Sequence, residues 1–396
     1  METALSCSRH QVFLKKLLTR RLIFVIFAFH MKLKFSPGLF IALLSLVVTA
    51  TPASAGLPAG LLGDNVLDSA IFDEVPVASS GGLSRVEVLN ELGRPSQEAS
   101  RVTVESVGGL RQGAKGLKIR IAPGETKVSL RWTVDAALNP STWYLASCLM
   151  KVENLPNETK QFISFSSSKE EVERVFMPTV GASYSLVTVA VYIGAAEVRQ
   201  FSLNVPKIEN LAASGASVSI VDFQLRPINL AAWEAKVKSE PPELDIAPAR
   251  FSSGDLRDNS DASSGRVAAI SSKPGVSFLA SSLPEELFPS FGIVELEIGR
   301  GEAAAAAKDR VLLRAMNPSS QTLVRITDDI ATVGLKKVLV PIVNVSSAPV
   351  EFVVGSQVPG EFIAGSLTFK PVWKPSRDEV INTFYAGVDE LEIFAP

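Results

Sequence analysis

The chain has 396 residues, with 39 Lys and Arg against 41 Asp and Glu, two histidines and two cysteines. His10, His30 and Cys7 all precede Ala55, so residues 56–396 carry no histidine and a single thiol, Cys148. This excludes His-containing zinc sites, H-E-x-x-H motifs and histidine-activated nucleophiles from that part of the chain, and no G-x-x-x-x-G-K-[ST] phosphate loop is present.

Residues 1–55 read as a leader. Met31 to Ala55 has Lys32 and Lys34 as a basic start, Leu39 to Val48 as an apolar stretch and Ala53-Ser54-Ala55 as a cleavage signal. Met31 is the expected true initiator, with a single leader from Met1 whose basic start is long as the alternative; on both readings Gly56 is the expected mature N-terminus and the protein is secreted or periplasmic. The apolar run Phe40 to Ala50 is shorter than the roughly 20 residues a spanning helix needs, so no membrane span is expected in the mature chain. Without the leader the balance is 32 basic to 40 acidic residues, a net of −8. Nucleic acid is excluded as a partner on that ground, since its binders need clustered basic surface. The mature protein is expected to be a monomer.

Residues 56–396 read as all-β. Strand-like runs bounded by Gly, Pro, Ser or Asn occur at Gly116–Ala122, Lys127–Asp135, Tyr184–Gly194, Val198–Pro206, Gly292–Gly299, Arg310–Asn317, Lys337–Asn344 and Ala348–Gly355. Leu117, Ile119 and Ile121 alternate with Lys118 and Arg120, the pattern of a half-buried antiparallel strand. The run SLVTVAVYI is apolar on both faces and is expected at a sheet centre. Cys148, among Leu145, Leu149 and Met150, reads as a buried thiol. Lys169 to Val175 is expected to form two helical turns, and the alanine run 303–307 a loop with one turn.

The sequence contains a gapped internal repeat. Gly116-LKIRIAPGETKVS-Leu130 is similar to Gly265-RVAAISSKPGVSF-Leu279, and Ser217-VSIVDFQ-Leu225 to Gly387-VDELEI-Phe394. Two tandem antiparallel β-sandwich, jelly-roll-like domains follow, at 56–228 and 229–396. Their seam, Leu225 to Ser239, is expected to be open to proteases, as is the loop after Ser252.

The second half opens on Asn229-Leu-Ala-Ala-Trp233, continues through an Asp- and Ser-rich loop to Ala262-Ser-Ser-Gly-Arg-Val267, and ends on Val388-Asp-Glu-Leu-Glu-Ile393. This order resembles bacterial carbohydrate-binding modules of the galactose-binding-like jelly-roll superfold. The first half matches in Ala114–Ile119 and Val221–Leu225 and lacks the opening tryptophan. The resemblance implies a jelly-roll fold and, by fold analogy, a polysaccharide or glycan ligand.

Three groups of residues are candidates for chemistry. The loop Ser253–Asp261 carries Asp255, Asp258 and Asp261, an oxygen-rich set suited to calcium but not spaced as an EF-hand; the resembling modules often hold a structural calcium, and no other cofactor is expected. Sugar stacking requires an exposed aromatic. Trp373, between Pro371 and Pro375, is the first candidate, followed by Trp143 and Tyr144, one of which should point outward; Trp132 alternates with Leu130 and Val134 and belongs to a core. Among the carboxylates, Glu295 and Glu297 share a strand face and read as solvated; Asp222, Asp389 and Glu390 lie near closing strands and read as packing acids. Three functions fit: a non-catalytic exported carbohydrate-binding protein, an envelope structural or protein-interaction protein, and a hydrolase using two carboxylates.

Overall fold

The computed structural model describes residues 58–73, 83–108, 115–155, 161–167, 171–176, 183–194, 197–211, 215–251, 254–272, 277–300, 311–316, 322–328, 334–356, 360–376 and 378–380. The leader, the alanine run 303–307 and the closing strand with Asp389 and Glu390 lie outside these residues. No helix among the described residues is long and apolar enough to cross a membrane.

The protein is all-β. Before residue 228 the chain supplies β1 (Ser84–Leu89), β2 (Val102–Gly108), β3 (Lys115–Ile121), β4 (Gly124–Leu138), β5 (Thr142–Glu153), β6 (Phe162–Ser166), β7 (Glu171–Phe176), β8 (Ser185–Ile193), β9 (Val198–Leu211) and β10 (Ala216–Pro227). Helix α1 (Leu230–Val237) follows, and then β11 (Leu244–Ile246), β12 (Asp255–Asp258), β13 (Arg266–Ser272), β14 (Ser277–Leu283) and β15 (Ser290–Arg300). The remaining strands are β16 (Val311–Met316), β17 (Thr322–Asp328), β18 (Gly334–Asn344), β19 (Val350–Ser356) and β20 (Gly360–Trp373). The eight strand-like runs all fall on strands. The expected helical turns at Lys169–Val175 do not form: Glu171–Phe176 is β7, which pairs antiparallel with β6. Two turns of isolated helix gain less than a ladder partner supplies.

The strands build three sheets, in the orders β1-β4-β9-β6-β7, β14-β19-β16-β17-β8-β5-β10-β3-β2 and β12-β13-β20-β15-β18. Two series in this arrangement match. The order β2-β3-β10-β5-β8 recurs as β12-β13-β20-β15-β18, and β4-β9-β6-β7 recurs as β14-β19-β16-β17. Both Pro-Gly turns of the repeat therefore join strands of opposite sheets, β3 to β4 and β13 to β14. The place that β10 holds in the first series is held by β20 in the second.

The nine-stranded sheet joins the two series. β8 and β17 pair in parallel through Ala190 with Val324 and Val191 with Arg325. Each masks an otherwise open sheet edge, and residues 55–396 form one compact unit. The apolar run of β8 thus sits at the sheet centre, as its two-sided hydrophobicity requires. β18 passes close to β8, and β7 close to β17.

Two large cores result. Among the described residues, one draws on positions up to Leu225, including Trp132 with Phe72, Phe201 and Phe223 around it at ring distances of 5.6, 6.1 and 5.8 Å. The other is built on Phe291, Phe352, Phe362 and Phe369, and also takes in Leu61, Trp143, Leu145, Ala190 and Ile228 from the first half. The first part of the seam is closed: Leu225, Ile228, Trp233 and Val237 are buried, and the backbone from Leu225 to Asn229 is hydrogen-bonded to a strap formed by residues 61–66. The stretch expected to be open to proteases is thus narrowed to its far end, where Glu234, Ala235, Lys236, Lys238 and Ser239 are exposed.

Candidate functional site

β20 ends at Trp373. Its partner across the ladder is Phe291, and the register shifts between Phe291 and Gly292, where Pro371 faces Gly292. Proline thus sits inside β20 beside a bulge, where a missing N–H is tolerated. Trp373 is half-buried. Its ring packs on Phe291 at 5.0 Å, and Phe291 in turn contacts Trp233 of α1 at 6.0 Å. Next to it, Lys374 Nζ lies 2.6 Å from Glu243 Oε1 and donates to the Glu286 carbonyl at 3.4 Å. The result is an aromatic ring packed on Phe291, followed in the chain by a lysine held in an ion pair.

Trp143 and Tyr144 point to opposite faces of β5, yet neither is outward. Trp143 is 6% exposed and Tyr144 1% exposed. Tyr144 enters the first core and its hydroxyl accepts from the Asn139 backbone N–H at 2.8 Å. Trp143 enters the second core and packs against half-buried Tyr192 at 5.4 Å. Both faces of the shared sheet are covered at this point, which a strand pattern does not reveal.

The three aspartates do not converge. Asp255 and Asp258 belong to the fully exposed strand β12, where positions three apart point to opposite faces. Asp258 lies 3.7 Å from the Arg266 side chain, and Asp261 sits in the turn that follows. Among the described residues no three His, Cys, Asp or Glu side chains are grouped as a metal site.

The carboxylates are engaged. Glu295 forms a 2.6 Å ion pair with Lys337 and its hydrogen bond holds that amine above the usual lysine range. Glu297 is buried rather than solvated. It accepts backbone N–H bonds from Ser263 at 3.1 Å and Ser366 at 3.2 Å, the latter in a bulge of β20. A Cβ at Gly365 would collide with this carboxylate. Glu297 therefore pins the hairpin loop after β12 onto the sheet. Asp222, at φ +53°, accepts from Gln224 in a bulge of β10.

Sequence reasoning did not single out Glu153. It accepts from Ser217 Oγ at 2.6 Å and lies 3.3 Å from both Lys118 and Lys151, and the Ser217 bond foremost pushes its pKa down to about 2. Glu379 is likewise lowered, by the Ser376 N–H in a reciprocal Ser–Glu cap. Burial pushes the Cys148 thiol up to about 12, which leaves it inert.

No protein-family model matches the sequence, and no curated protein matches it. Solved structures similar to it include the tandem CBM22-1–CBM22-2 domain from Paenibacillus barcinonensis, at 12% identity and a TM-score of 0.25 over 80% of this chain and 99% of that one. A family 11 carbohydrate-binding module of Clostridium thermocellum is 11% identical, with a TM-score of 0.28, over 42% of this chain and 95% of the module. The enzymatically active domain of tailspike protein 4 from bacteriophage CBA120 is 14% identical, with a TM-score of 0.30, over 41% of this chain; the match spans 21% of the tailspike chain.

Proposed function

We propose that this chain is an exported, non-catalytic, monomeric protein that binds a polysaccharide through the aromatic surface at Trp373. The observation that carries this reading is the half-buried indole at the end of β20, held on Phe291. A sugar ring presents apolar C–H groups to such a surface. The motif resemblance of the second half supports the same ligand class, and the leader supports export.

The test is a glycan array followed by calorimetry. Trp373→Ala should weaken the best ligand by about 1–3 kcal/mol, as removal of an aromatic anchor does, with the melting temperature as control. Unchanged affinity at unchanged melting temperature would exclude Trp373.

A structural or protein-interaction role is the second reading. The burial of Trp132, Trp143, Tyr144 and Trp233 favours it, because it leaves few rings for a ligand. Failure of every glycan on the array, with the folded protein retained on other envelope proteins, would favour this role.

A further inference from the structure

The segment after residue 60 crosses the boundary between the halves. β3 pairs with β10 only over Ala216–Val221, so the far end of β10 lacks a neighbour on that side. The strap fills the place. Gly63 N–H donates to the Pro227 carbonyl at 2.8 Å, Val66 N–H to the Leu225 carbonyl at 2.9 Å, and Leu225 N–H to Asn65 Oδ1 at 2.8 Å. The Leu61 carbonyl then accepts from two groups beyond the seam, the Asn229 N–H at 3.1 Å and the Trp233 indole N–H at 2.8 Å. Trp233 is fully buried, so that hydrogen bond fixes its ring where water cannot substitute.

From Trp233 the contacts run through Phe291 to Trp373. We propose that the strap is a latch that positions Trp373, with Trp233 as the positioning residue. This rests on the binding role given above to Trp373, and it makes the N-terminal segment a determinant of ligand affinity although it does not contact the ligand. An anchor held in place before binding loses less freedom on binding, so a loosened latch weakens the site.

The geometry supplies a local probe. A Cβ on Gly63 would lie 2.6 Å from Pro227 Cγ, too close to be accepted without moving the strap. Gly63→Ala should therefore lift the strap, and adding Pro227→Ala should remove the clash and restore it. Trp233→Phe keeps an aromatic ring and removes the donor to Leu61. The readout is acrylamide quenching of the full chain, with the Trp373 contribution isolated as the difference from the same background carrying Trp373→Phe. Gly63→Ala and Trp233→Phe should raise Trp373 quenching, and Gly63→Ala/Pro227→Ala should return it to the starting value. Affinity for the best array glycan should follow, falling about tenfold in Gly63→Ala, the factor that ~1.4 kcal/mol represents, and recovering in the double variant. Unchanged Trp373 quenching in both single variants overturns the latch, as does a loss that Pro227→Ala fails to rescue. If the parent chain binds no glycan, the binding role fails, and the quenching series still decides the latch.

Discussion

The two halves share a strand order but not their independence. Among the described residues, the core of the first half draws on positions before Ile228. The core of the second half includes Leu61, Trp143, Leu145, Ala190 and Ile228, so part of its wall is the back of the first half's sheet. Tandem repeats of one topology can therefore be unequal in stability: where the sheets fuse, one sandwich lends a surface and the other depends on it. The outer faces differ as well. On the first half's five-stranded sheet, Thr133, Ser202, Ser164 and Asn204 hydrogen-bond one another in place. The sheet β12-β13-β20-β15-β18, to which β11 adds by pairing with β20, is instead covered at one end by α1 and at the other by the hairpin loop that Glu297 holds.

The most severe break of this comparison is truncation. Residues 56–228 expressed alone should fold cooperatively, whereas residues 229–396 alone should not, because their core loses its borrowed wall. Circular dichroism and denaturant unfolding check this; a second half that unfolds cooperatively by itself would remove the asymmetry. Next are core deletions. Trp132→Ala and Phe362→Ala should each cost about 3–5 kcal/mol, the range for large aromatic truncations, but with different reach. Hydrogen exchange should show loss of protection in both halves for Trp132→Ala and in the second half alone for Phe362→Ala.

A smaller effect sharpens the contrast between the outer faces. Glu297→Ala leaves the Ser263 and Ser366 N–H groups without their acceptor, at about 1–3 kcal/mol for an unsatisfied buried donor. It should release the loop between β12 and β13 to proteolysis while leaving the first half's exchange unchanged. The smallest concerns Glu153. Its pKa is lowered to about 2 from an ordinary 4.5, so its favourable contribution is present above pH 4.5 and is lost as the pH falls through that interval. Glu153 is partly solvated and the gain is that of a surface pair, below about 1 kcal/mol. Glu153→Gln should lower stability at pH 7 by less than about 1 kcal/mol and match the parent near pH 2, which flattens the acid limb of a stability–pH curve between pH 5 and pH 2.

The resemblance of Gly116–Leu130 to Gly265–Leu279 located a true structural repeat, because glycine, alternating strand and Pro-Gly turn are local features that set local geometry. The counterpart of 217–225 at 387–394 lies outside the described residues, and short alternating runs of this kind specify a strand without naming its neighbours. At the candidate site, the prolines around Trp373 marked an irregular strand end, and the bulge beside Pro371 is that irregularity. Trp143 and Tyr144 were misjudged for the opposite reason: period two says that adjacent side chains face opposite ways, not that one way leads to water.

By itself the sequence determined the β class, the positions of eight of the strands, the buried state of Trp132 and Cys148, and the absence of histidine after residue 55. Those follow from composition and from side-chain period, which act over a few residues. Only the tertiary structure decided that β8 and β17 fuse the two sandwiches, that Glu297 is a buried anchor, that three aspartates on and after β12 do not meet, and that residues 61–66 lock the seam. Each of these joins positions dozens of residues or more apart, or depends on the direction in which a side chain leaves a pleated strand, and burial at such contacts is set by what the rest of the chain brings to them.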